Sequence, residues 1–116
     1  MVSQNRDSGL AISRGEVWLA ALDPTIGSEI QKTRPCLIVS PPEMNDRLPI
    51  IIAAPMATGS RPAPSRILAR FQGRSGLILL EQIRALDKRR LIRRLGTIGR
   101  DTLSRTLATL RETFEE

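Results

Sequence analysis

Whatever chemistry this chain performs must be done without histidine or tyrosine, since neither occurs. A histidine-based acid–base pair or catalytic triad is therefore excluded. A single cysteine, Cys36, and no histidine cannot supply the usual nitrogen and sulfur ligands of zinc. No cofactor is expected. Arginine, carboxylates, hydroxyls and amides remain. Arg34 ends a long loop just before an apolar run, and a fixed guanidinium there can give two parallel hydrogen bonds to the oxygens of a phosphate. Its high pKa makes it a poor proton shuttle, so charge stabilisation is its first assignment; pairing with Glu16 or Glu29 is the structural alternative. Ser28 and Glu29 lie in the same loop, where Gly27 permits an unusual backbone turn. Glu29 can accept a proton if desolvation raises its pKa, while Asp23-Pro24-Thr25 and Gly27-Ser28 can equally serve only to shape the loop. Thr58 carries a hydroxyl that either reaches a ligand or bonds its own backbone. The Gln82 amide is able to read base edges, and Arg84 either contacts phosphate or pairs with Asp87.

Charge points the same way. Lysine and arginine number 18 against 12 aspartates and glutamates, a formal +6, and only Lys32 and Lys88 are lysines. Guanidinium forks match phosphate oxygens, so an arginine-dominated basic domain favours an anionic partner, nucleic acid or an acidic protein. An ordinary solvated surface rich in arginine is the alternative. The run Lys88-Arg89-Arg90 with Arg93-Arg94 carries the same choice, phosphate-binding stripe or solvated face. Only Trp18, Phe71 and Phe114 are aromatic, too few for the base-stacking platforms of RRM or OB-type binders. Trp18, in an apolar strand, is read as core or dimer interface.

The elements that must hold these groups are short. The 116 residues suit one domain burying about two-thirds of the unfolded chain's surface. Residues 1–13 are polar and read as a flexible tail lacking a secretory signal, followed by a single domain over 14–116. No apolar run is long enough to cross a bilayer, and one unpaired cysteine suits a reducing compartment, so a cytoplasmic protein is expected. Residues 16–22 read as a strand and 23–34 as a loop. Residues 35–40 and 49–54 are short apolar strands, separated by a polar turn or short helical excursion. Residues 59–65 form another loop. Residues 66–71 and 76–84 resume strand character, with Gly73 and Gly76 bracketing the turn between them. From Asp101, read as an N-cap, Leu103, Leu107, Leu110 and Phe114 make one apolar helical stripe. The expected fold is α+β, a small barrel or curved sheet carrying a C-terminal helix.

Arg14-Gly15-Glu16-Val17-Trp18, Leu22-Asp23-Pro24-Thr25, Gly27-Ser28-Glu29 and Lys32-Thr33-Arg34-Pro35 together resemble the N-terminal signature of the MazF/PemK toxins. Gly76 to Arg84, read as GLILLEQIR, followed by Asp87-Lys88, resembles that family's second block. With Arg61-Pro62-Ala63-Pro64 and the final helix, the likeness covers nearly all of the chain after residue 13. It implies an SH3-like β-barrel of the CcdB/PemK kind, a homodimer, and metal-independent cutting of single-stranded RNA. The cut would come from 2′-hydroxyl attack, giving a 2′,3′-cyclic phosphate and a 5′-hydroxyl. A partner antitoxin with an acidic, flexible C-terminal segment is implied as well. By resemblance Arg34 is catalytic, and Ser28, Glu29, Lys32, Gln82 and Arg84 bind RNA.

The family's second catalytic position is a threonine after the strand that ends near Ala54. Here Ala57 stands where the spacing from Pro55 places that threonine, and Thr58 follows. Either Thr58 takes the role after a small shift, or the chain is weakly active, or Ala57 is an introduced inactivating substitution. A non-catalytic toxin resembling CcdB, acting on a protein such as DNA gyrase, is the alternative on the same fold. A plain RNA-binding module would explain the charge but not the two motif blocks.

Overall fold

Alternating aliphatic residues after the Arg14-Gly15 turn start the first strand, and in the computed structural model the chain then winds into a curled antiparallel half-barrel. Residues 11–23, 26–29 and 32–116 are described. The strands are β1 (Glu16–Ala21), β2 (Thr33–Ile38), β3 (Ile50–Ala57), β4 (Arg66–Phe71), β5 (Arg74–Leu79), β6 (Arg84–Asp87) and β7 (Leu91–Thr97). A short helix α1 (Pro42–Asn45) follows β2, and α2 (Arg100–Thr113) ends the fold. The order across the sheet is β4-β5-β3-β2-β1-β7, with β6 added on β3. This is the α+β architecture expected.

Period-two alternation gives the sheet two buried faces. Cys36 and Ile38 of β2 join Trp18, Ala20, Ile51 and Ala53 in one cluster, while Leu37 and Val39 join Val17, Ala54, Ile67 and Ile78 in the other. Leu103 and Leu110 of α2 pack on the second. Trp18 is core, its Nε1 donating to Glu16 Oε1 at 3.0 Å. Most of the tail expected over residues 1–13 lies outside the described residues, but Ile12 is buried in the first cluster, so the folded unit begins ahead of Arg14.

Several elements differ from the sequence reading. β2 begins at Thr33, so Arg34 lies inside the strand and not at the end of the loop, and β3 runs on to Ala57. Residues 76–84 are not one strand. β3 pairs Ala57 with Leu77 and Ala53 with Arg84, so the returning chain has three residues too many for the ladder, and Leu80–Gln82 leave it as a 3-10 turn. The turn before β5 is Gln72-Gly73, both at positive φ (52° and 78°), the geometry of a two-residue type I′ hairpin; Gly76 is inside β5. The basic run carries a strand, β7, which pairs with β1 through two register shifts and keeps its arginines outward at the sheet edge. In α2 the N-cap is Gly99, with Asp101 in the first turn where its charge suits the helix dipole. Phe114 ends the predicted stripe but is 73% exposed, and the fully buried helix residue is Thr106.

A buried polar knot fixes α1 to β3. Ser40 Oγ donates to Asn45 Oδ1 at 2.6 Å and accepts from the Ile52 N–H at 3.0 Å, while Asn45 Nδ2 donates to the Ser40 carbonyl at 2.9 Å. Ser40→Ala would leave the part-buried Ile52 donor and one buried Asn45 acceptor without this partner. We expect it to lower stability by about 1–3 kcal/mol, read as a reduced urea midpoint with an unchanged slope.

Candidate functional site

The loop after β1 is pinched at its base. Leu22 N–H donates to the Lys32 carbonyl at 2.8 Å, and Lys32 N–H donates to Asp23 Oδ1 at 2.9 Å. Lys32 holds a φ of 67°, a left-handed conformation that costs a side-chain-bearing residue about 1–2 kcal/mol. That kink aims β2, and so Arg34, out of the loop. Within the loop Gly27 (φ 63°) makes the turn that brings the Ile26 N–H to Glu29 Oε1 at 2.7 Å. Pro24 and Thr25 lie outside the described residues.

Arginines from the far end of the chain brace this base. Arg84 Nη1 donates to the Leu22 carbonyl at 3.3 Å, and Arg90 Nη1 to the carbonyls of Ala21 (3.1 Å) and Asp23. Asp87 pairs with Arg89 at 3.0 Å, not with Arg84; that hydrogen bond is the chief reason its carboxyl is held below the usual range. Lys88 Nζ donates to the Asn45 carbonyl, and Arg94 Nη1 lies 3.5 Å from Glu16 Oε2. The basic run is thus largely a set of internal ties, neither a continuous stripe nor a merely solvated face.

Strand register decides which side chains share a surface. Cys36 lies opposite Pro55, so Arg34 and Cys36 on β2 share a face with Pro55 and Ala57 on β3. Arg84, opposite Ala53, belongs to that face as well. Thr58 follows Ala57 on the other side, beside Gly76: a Cβ added to Gly76 would meet Thr58 Cγ2 at 3.6 Å and the Ala57 carbonyl oxygen at 2.9 Å. Only glycine lets β5 press this closely on the end of β3.

Two cavities gather most of the expected residues. One, of about 220 Å³, is walled by Arg34, Ala57 and Thr58 together with Met56, Phe71 and the β4–β5 hairpin. It brings Arg34 and Thr58 together. The second, of about 380 Å³, joins Glu29, Gln82 and Arg84 with Glu81. Ser28 and Lys32, both exposed, line neither of these two. Glu81 turns to the start of β4, accepting from Ser65 Oγ (2.8 Å) and from Arg66 Nε and Nη2 (2.9 and 2.7 Å). Partial burial pushes its carboxyl up, but these hydrogen bonds outweigh it and hold it below the ordinary value.

Gln72, Arg74 and Ser75, which the sequence reading did not select, line the first cavity. The hairpin dipeptide Gln72-Gly73 between two strand-like runs is the signal that would have placed them. No cluster of three or more His, Cys, Asp or Glu suited to a metal forms among the described residues. No described helix is long and apolar enough to cross a membrane. Cys36, beneath Arg34, is 1% exposed, and burial pushes its thiol up to about 12 against the pull of Arg84. Its thiolate is therefore absent at neutral pH. We expect native protein to resist iodoacetamide at pH 8 while urea-unfolded protein is alkylated, as mass spectrometry would read.

Residues 13–114 match the family described as PemK-like, MazF-like toxin of type II toxin-antitoxin system. The chain is 50% identical over 50 residues to endoribonuclease PemK of Escherichia coli, a match covering 41% of this chain and 36% of that protein. It is 38% identical over 90 residues to endoribonuclease MazF of Staphylococcus epidermidis, covering 72% of this chain and 75% of that one. The fold superimposes on the crystal structure of MazF from Deinococcus radiodurans with a TM-score of 0.80 at 24% identity, covering 90% and 96% of the two chains.

Proposed function

We propose a specific chemistry from one premise: the chain belongs to the PemK-like, MazF-like toxins of type II toxin-antitoxin systems. It is an endoribonuclease toxin that cuts single-stranded RNA at short sequence motifs without a metal ion. The 2′-hydroxyl attacks the adjacent phosphorus, forming the O2′–P bond as the P–O5′ bond breaks. The 2′ proton is given up and one returns to O5′, leaving a 2′,3′-cyclic phosphate and a 5′-hydroxyl.

The observation that carries this reading is the cavity shared by Arg34 and Thr58, whose described lining holds no carboxylate. Arg34, fixed at the head of β2, stabilises the charge that grows on the non-bridging oxygens as phosphorus becomes five-coordinate. The Thr58 hydroxyl adds a hydrogen bond to the same phosphate. Glu29, Gln82 and Arg84, gathered in the second cavity, hold neighbouring nucleotides, with Ser28 and Lys32 on the exposed loop beside them. A short, flexible acidic segment of a cognate antitoxin competes for this basic surface. The toxin acts in the cytoplasm as a homodimer.

A non-catalytic toxin acting on a protein such as DNA gyrase fits less well, because the relatives of 38% and 50% identity are named endoribonucleases. Incubating the purified protein with a long single-stranded RNA in excess EDTA, and mapping cut ends, tests the reading. Cleavage at a recurring short motif is expected; intact RNA would sink it.

A further inference from the structure

We propose that the cavity beneath the β4–β5 hairpin is a nucleotide subsite, with Arg74 as its phosphate-binding group and one RNA base held against Phe71 and Leu95. The inference rests on the endoribonuclease reading and names where a nucleotide beside the cut is bound.

The walls are preformed. Phe71 and Arg74 face each other across the ladder, joined by the two positive-φ residues Gln72 and Gly73, so the tight turn fixes the start of β5. Gln72 Nε2 donates to the Leu95 carbonyl at 2.9 Å, which clamps the hairpin tip to β7. The Phe71 ring packs over Gly96, where an added Cβ would come within 3.1 Å of Phe71 Cζ. The apolar side of the cavity is therefore walled by packed residues before any ligand binds.

Charge says what the slot takes. Two guanidinium-bearing residues, Arg34 and Arg74, line the cavity, and no aspartate or glutamate does. Some arginines elsewhere are tied to the protein, Arg66 and Arg89 to carboxylates and Arg84 and Arg90 to carbonyls; Arg34 and Arg74 apart, the remaining described arginines line neither of the two cavities described above. The Arg74 side chain has no hydrogen-bond or ion-pair partner among the described residues. A cation left unpaired beside an apolar slot, one wall away from Arg34, suits a ligand with an anionic end and a flat apolar body. A nucleotide has both. A volume of about 220 Å³ falls below the roughly 300–1,000 Å³ of sites for larger ligands, and accommodates one base rather than several. The Ser75 and Thr58 hydroxyls and the free face of the Gln72 amide supply polar contacts at the rim. An acidic peptide would use the charge but leave the apolar wall unfilled.

The test reads binding without cleavage. A fluorescent, random-sequence 2′-O-methyl oligoribonucleotide cannot be cut, because its attacking hydroxyl is capped. Arg74→Gln should weaken its binding about tenfold and reduce the slope of log affinity against log salt by about one phosphate contact, while Arg74→Lys keeps the slope. Leu95→Trp, filling the slot, should weaken binding with the slope unchanged; thermal melting shows whether each variant remains folded. Arg74→Gln binding within twofold of the parent at the same slope would overturn the proposal. So would an Arg74→Gln protein that loses affinity for a glutamate-rich peptide and not for the oligonucleotide. A parent protein that binds this RNA through Arg74 yet cuts none in EDTA would support the subsite and refute the reaction. One that cuts normally as Arg74→Gln, with binding unchanged, would do the reverse.

Discussion

Arg34→Ala is expected to lower RNA cleavage about a hundred- to a thousandfold with the fold intact. That is the usual cost of removing one well-aimed donor from a site where charge develops. Arg34 is exposed at the second position of β2 and belongs to neither hydrophobic cluster, so its removal leaves the core intact. Arg34→Lys retains the charge but loses the two-point fork, and should fall between the parent and the alanine variant. The measurement is kcat/KM on a short RNA carrying the mapped motif. Full activity in Arg34→Ala would remove the proposed mechanism while sparing the function.

Ala57→Thr is expected to raise the cleavage rate about ten- to a hundredfold, part of what one aligned donor supplies. The reason is geometric. Ala57 shares a sheet face with Arg34, whereas Thr58 lies on the other side beside Gly76. A hydroxyl at position 57 would reach a phosphate held by Arg34 without the detour that Thr58 requires. Ala57 is half-buried in the last position of β3, and threonine is at home in a strand. In the parent, Thr58→Ala should reduce activity; in the Ala57→Thr background the same change should matter little. No gain from Ala57→Thr, measured at equal protein stability, would show that Thr58 already fills the role.

Much of this was legible beforehand, for identifiable reasons. Glu16–Ala21 and Arg66–Phe71 alternate cleanly or run apolar between turn signals, and they fold where their pattern says. The break after Leu79 was invisible because GLILLEQIR is apolar enough for one strand. Only the pairing of β3 with both β5 and β6 shows that three residues must leave the ladder. β7 was hidden by its own arginines: an edge strand needs only one buried flank, and charge there reads as surface. At the site, Arg34 was found by its motif and by its place where loop gives way to strand. Arg74 was not, because its importance comes from a cavity assembled out of β2, β3, β4, β5 and β7, which no local pattern announces. Likewise, the alternation that separates Ala57 from Thr58 had to wait for the register. Arg84 and Arg90 turn out to brace the loop base, a task that depends on carbonyls more than sixty residues away.

The most direct test of the central claim is the chemistry of the cut ends. Purified protein is incubated in excess EDTA with an oligoribonucleotide carrying the mapped motif, and the products are weighed by mass spectrometry. The expected products are an upstream fragment ending in a 2′,3′-cyclic phosphate and a downstream fragment beginning with a 5′-hydroxyl, both lost when the ribose at the cut is replaced by 2′-deoxyribose. Fragments with a 3′-hydroxyl and a 5′-phosphate, or cutting that persists at the 2′-deoxy site, would contradict it.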